Sequence, residues 1–213
     1  HTMMPTIVHR LLKASVVGLA ALSTACSVLP QSEPLTYYQL PAAALSAQQA
    51  GASHKQLIIQ VNRPHADRLL ASSRITVLPQ GNALSASKGV RWGDDAPALL
   101  RNRLADGLRD AAQFRAVVLE GESVIADIEL GGTLGAFQVE YVQGAPRVRI
   151  QLDALLRDQR SGQLIQTRRF VVQQEVDGTA VPEVVDAFGQ AADALSLQVS
   201  QWLGSLTVQT ETF

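Results

Sequence analysis

Residues 123–141 read SVIADIELGGTLGAFQVEY, and the alternation inside this stretch decides what kind of fold the chain can build. Ala126, Ile128, Leu130, Leu134 and Ala136 share one parity, with Asp127 and Glu129 on the other. A period of two is the mark of a strand with one face buried. From Phe137 the apolar set moves to odd positions, Phe137, Val139 and Tyr141, against Gln138 and Glu140. A strand cannot change the face it buries without an inserted residue, so a β-bulge is expected near Gly135. Gly131 and Gly132 lie mid-strand, where glycine lets a ligand approach the backbone or, more often, marks a bulge or bend.

Downstream, Gln143-Gly144-Ala145-Pro146 turns the chain into Val148, Ile150, Leu152, Ala154 and Leu156, again alternating. Asp158 to Gly162 makes a second turn, and Leu164 to Val176 follows as a third long strand, which completes an antiparallel meander. Thr179 can cap a final helix with Pro182 and Glu183 in its first turn. Val184, Phe188, Ala191, Leu195, Val199 and Trp202 give that helix a wide apolar face, and residues 207–213 read as a frayed tail.

Upstream of the opening stretch, Arg115 to Leu119 reads as a strand. Before it, Asp94 and Asp95 supply an N-cap for a helix with Pro97 in its first turn. Leu100, Leu104, Leu108 and Ala111 recur at helical spacing along it. Short strands are expected at Tyr37–Leu40, Leu57–Val61, Arg74–Leu78 and Gly89–Trp92, with Pro41 to Lys55 as a loop. The expected class is α+β in two layers: a mainly antiparallel sheet with two principal helices packed on one face.

The N-terminal segment has a different character. His1-Thr2 precede the first methionine and read as vector residues. His9, Arg10 and Lys13 form a basic head, and Ala14 to Leu22 an apolar run of nine residues, far short of the ~20 that span a bilayer. Leu22-Ser23-Thr24-Ala25-Cys26 places small residues before the only cysteine. Only small side chains fit beside the bond that a lipoprotein signal peptidase cuts. Cys26 is expected to carry diacylglycerol on its thiol and an acyl chain such as palmitate on its amine, although Ser23 stands where a bulky apolar residue is usual; the lesser reading is an ordinary secretory signal followed by an incidental free thiol. Two or more chains anchor durably where one does not. The expected organisation is a signal peptide over 1–25, acylated cysteine and tether over 26–36, one domain over 37–206, and the tail. An aspartate after the cysteine would favour inner-membrane retention; Ser27 stands there instead.

The formal net charge is −1 and becomes slightly more negative without the leader, which holds Arg10 and Lys13 but no acid. No basic block suits a nucleic acid or a polybasic membrane patch. A single cysteine excludes disulfides within the chain and thiolate metal sites. Chemistry has few carriers. Past the leader the histidines are His54, in a polar loop, and His65, beside Pro64, and both read as solvated. No nucleophile elbow, phosphate loop or zinc spacing is present, so no catalytic, metal or cofactor residue is assigned. The Asp94–Asp95 pair suits capping better than acid/base work. Arg91 and Trp92 are candidate partner contacts, since such residues dominate interface hot spots. Trp202, in the last turn of the final helix, is a third. Each tryptophan could equally be a core anchor.

Tyr37-Tyr38-Gln39-Leu40-Pro41, the Leu57–Val61 strand, Asp67-Arg68, Ile75 and the segment VRWGDDAPALLRNRLADGL from Val90 to Leu108 occur in a recognisable order. Together they resemble the ABC-type transport auxiliary lipoproteins, the PqiC-like proteins. The resemblance implies an outer-membrane lipoprotein facing the periplasm of a Gram-negative cell. It would work beside an ABC transporter and that transporter's MCE subunit. Such systems are thought to move phospholipid or related molecules between the two membranes and to support envelope integrity. The implied role is docking, with no turnover, and self-association would suit a tube-like partner. A lipid-binding carrier would instead need an apolar cavity between helices and sheet. A hydrolase would need a nucleophile beside His54 or His65.

Overall fold

In a computed structural model, residues 34–43, 54–79 and 85–206 are described, and the folded unit begins at Leu35. The expected leader, Cys26, most of the expected tether and of the 41–55 loop, and the 207–213 tail lie outside the described residues. The elements run β1 (Thr36–Tyr38), β2 (His54–Val61), β3 (Arg74–Leu78), β4 (Ser85–Trp92), α1 (Ala96–Ala111), β5 (Phe114–Leu119), β6 (Ile128–Val142), β7 (Ala145–Asp158), β8 (Leu164–Glu175) and α2 (Val181–Gly204).

Strand β6 pairs antiparallel with β7 along its length, and β7 with β8, so the meander forms as expected. The bulge sits at Gly135: Leu134 lies opposite Leu152 and Ala136 opposite Gln151, which leaves Gly135 without a counterpart. Before it, Leu130 and Leu134 are buried opposite Leu156 and Leu152; after it, Phe137 and Val139 are buried opposite Ile150 and Val148. Ala136 shares a cross-strand pair with Gln151 and so a face with it. The parity therefore changes one residue sooner than the hydrophobic pattern implies. The strand itself starts only at Ile128, because Val124 and Ile125 are exposed outside it.

The sheet as a whole corrects the expectation of a mainly antiparallel one. It is mixed: β1–β4, β2–β5, β2–β6 and β3–β6 are parallel, whereas β3–β4, β6–β7 and β7–β8 are antiparallel. The second edge of β6 is occupied by chain from far upstream. Ile59–Val61 lie along Ile128–Leu130, Thr76–Leu78 lie along Gln138–Glu140, and His65 bridges Thr133 between them. Alternation reports which face of a strand is buried and carries nothing about which neighbour takes its edge.

Two helices cover the buried face, which supports the α+β class. In α1 the cap is Asp95, whose Oδ1 accepts from the Ala98 amide at 3.0 Å, with Pro97 in the first turn. Leu100, Leu104 and Leu108 are buried along its inner side. Leu104→Ala should cost about 2–5 kcal/mol through lost transfer energy and a residual cavity. A thermal melt would show it, and an unchanged melt would refute this orientation of the helix. In α2 the cap is Ala180, one residue past Thr179, and the Glu183 carboxylate accepts from the Ala180 amide at 2.7 Å. Phe188 of α2 stacks on Phe137 at 4.8 Å, and Trp92 meets both rings edge-on. The aromatic centre of the core thus depends on the bulge that turns Phe137 inward.

Candidate functional site

The chain that follows β1 is held to the core by Pro41. Arg103 of α1 is buried, and its guanidinium donates through Nη1 to Asp193 of α2 and through Nη2 to the Pro41 carbonyl. The ring of Pro41 lies over Gly189 of α2, where a Cβ would fall 2.9 Å from the proline Cδ. Glycine in mid-helix costs stability; here it makes room for the proline. One arginine and one glycine therefore clamp the segment after β1 to both helices. A groove of about 390 Å³ runs beside this clamp, lined by residues 39–43 together with Asp94, Asn102 and Asp106.

The three candidate partner contacts separate. Trp92 is 0 % exposed and Trp202 2 %, so both side chains belong to the core. Trp92 packs on Phe137 and Phe188, and Trp202 on Phe170 at 5.6 Å. Arg91 points the other way and is half-buried, with its Nη1 donating to the Val90 carbonyl at 2.8 Å. Of the three, Arg91 alone reaches the surface.

His54 corrects its reading as a solvated loop residue. It opens β2, is 5 % exposed, and stacks on Phe114 with ring centroids 5.6 Å apart. Its Nε2–H donates to the Leu203 carbonyl at 3.0 Å. That carbonyl lies in the last turn of α2, where acceptors lack intrahelical donors. Beside it, Gln113 donates from Nε2 to Ser200 O and Oγ, each at 3.1 Å. His54 thus ties the end of α2 to the starts of β2 and β5. Its polar sequence neighbours gave no hint of this, because its partner is 149 residues away. His65 is exposed, and its backbone bonds Gly132 and Leu134 of β6. No nucleophile is brought to either histidine among the described residues, and no metal-holding group of His, Cys, Asp or Glu occurs there.

Charge is distributed unevenly. On the outer face of the meander Arg157, Arg149 and Arg169 pair with Glu129, Glu140 and Asp153. The hydrogen bond from Arg169 holds the Asp153 carboxyl below the usual carboxylate range. The β1–β4–β3 wing differs. Its register sets Tyr37 opposite Arg91 and Arg91 opposite Arg74. Single cations spaced along the chain hide such a row from the sequence; only strand pairing assembles it.

No curated protein matches the chain. Among solved structures the fold is similar to that of protein XCC0632 from Xanthomonas campestris, which is 24 % identical with a TM-score of 0.65 over 80 % of this chain and 92 % of that one. A second, uncharacterised protein is 21 % identical with a TM-score of 0.63, over 80 % of this chain and 99 % of its own. A family model described as the ABC-type transport auxiliary lipoprotein component matches residues 38–200. The matched span runs from β1 through the Pro41 clamp, the mixed sheet and most of α2. The chain belongs to the ABC-type transport auxiliary lipoprotein family.

Proposed function

We propose that this auxiliary lipoprotein is a docking subunit without turnover of its own. It is anchored by acylated Cys26 in the outer membrane, faces the periplasm, and meets the MCE subunit of an ABC lipid transporter in support of envelope integrity. The observation that carries the reading is the family match over residues 38–200. Two features favour docking. The tether over 26–36 spans at most ~35 Å when extended, so the domain stays beside its membrane. Behind β1, the Pro41 clamp gives the start of the domain a second attachment, to both helices. Between α2 and the sheet, Phe137, Phe188 and Trp92 fill the space a carrier would keep for lipid. Self-association of the domain around a tube-like partner belongs to the same reading.

Cys26→Ala should move the protein out of the outer-membrane fraction; a variant that still pellets there at wild-type levels would remove the anchor from the proposal. Because His54 is structural, the enzyme alternative is tested with His65→Ala alone. Cells carrying it should keep envelope integrity, and failure of a folded, normally abundant variant would favour an enzyme.

A further inference from the structure

Between residues 63 and 91 lie Arg63, Arg68, Arg74, Lys88 and Arg91 against one acid, Asp67, in a chain of net charge −1. Asp67 is engaged locally, its Oδ1 accepting from the amides of Leu69 and Leu70. Arg63 pairs with Asp95. Among the described residues, ion pairs engage neither Arg74 nor Arg91. The register places these two arginines directly opposite each other on β3 and β4, with Tyr37 of β1 next in the row. Opposed residues share a face, and like charges so placed repel. A ligand bearing negative charge relieves that repulsion.

We propose that the row Tyr37–Arg91–Arg74 is a membrane-facing surface that binds the headgroups of anionic phospholipids beside the anchor. Two observations favour lipid over an acidic protein. The row begins on β1, the first described strand after Cys26 in chain order, and on the anchor reading this is where the domain meets its tether. Tyr37 is 64 % exposed, and Leu35, two residues before it, is 46 % exposed. Apolar and aromatic groups beside cations are what the boundary between headgroups and acyl chains accommodates. The surface takes in Arg91, the reachable candidate contact, and gives it lipid as its ligand. The proposal rests on the anchor reading only for proximity.

The test floats the mature chain, residues 26–213, with Cys26→Ala in place of the acylated residue, with vesicles of phosphatidylcholine alone or mixed with phosphatidylglycerol. Binding is expected only to the mixed vesicles, weakening as salt is raised. At roughly five-fold per arginine, Arg74→Gln/Arg91→Gln should bind about 25-fold more weakly. Tyr37→Ala should also weaken it. Arg115→Gln/Arg168→Gln makes the same charge change elsewhere and should bind as the parent does, with thermal melts confirming that all variants fold. Equal binding to both vesicles, or equal weakening by the control pair, would overturn the proposal. So would an arginine variant that keeps its vesicle binding but loses capture of a protein partner. No transporter component enters this assay, so its failure would leave the docking reading standing.

Discussion

Gly132→Ala is expected to lower stability by about 4 kcal/mol, enough to unfold a marginal domain. Gly132 adopts φ +132°, and a Cβ there would lie 2.0 Å from the Asp153 carbonyl oxygen of β7. The obstacle is backbone in a paired strand, which cannot step aside as a side-chain tip would. The position also matters to the topology. Gly132 O accepts from the His65 amide at 2.9 Å, where the edge of β6 passes from β2 to β3. Gly144→Ala is the control: its φ is +81° and nothing stands within 4 Å of the added carbon, so only backbone strain of about 1 kcal/mol applies. Denaturant midpoints for the two variants should differ widely. Similar midpoints would mean that β7 does not approach Gly132 as described.

Arg103→Ala should cost about 3–5 kcal/mol, because it takes the guanidinium from the largely buried carboxylate of Asp193 and the donor from the Pro41 carbonyl. Arg103→Lys should recover only part of this, since an ammonium cannot reproduce the fork that reaches both acceptors. Replacing both partners by apolar residues, as in Arg103→Met/Asp193→Leu, should recover more than the lysine does. Thermal melts rank the three. Hydrogen exchange adds a local readout: the Gly93 amide bonds the Tyr38 carbonyl at 2.7 Å and should lose protection once Pro41 is released. Intact protection with a lowered melt would place Arg103 in the core but outside the clamp.

What the sequence made legible was local. The bulge at Gly135, the Asp95 cap and the leucine stripe of α1 each depend on residues a few positions apart, and each appears in the structure. The mixed sheet, the burial of His54 and the seat of Pro41 on Gly189 depend on partners far along the chain, to which periodicity is blind. The two tryptophans show the boundary case. Arg91-Trp92 carries a hot-spot composition, yet strand alternation sends Trp92 into the core and Arg91 to the surface. The basic row was hidden for the same reason, because strand pairing alone sets Arg74 beside Arg91. Gly132 reads in the sequence as a bend or a place for a ligand, but what stands against it is the backbone of β7.

Crosslinking in intact cells tests the docking claim most directly. The acylated full chain, expressed at its normal level, is crosslinked through its exposed surface, and the attached protein is identified by mass spectrometry. The account predicts that the MCE subunit of an ABC transporter is recovered, and that it is lost when Cys26→Ala releases the chain from its membrane. Recovery of proteins unrelated to ABC transport, with the MCE subunit present at normal abundance, would contradict it.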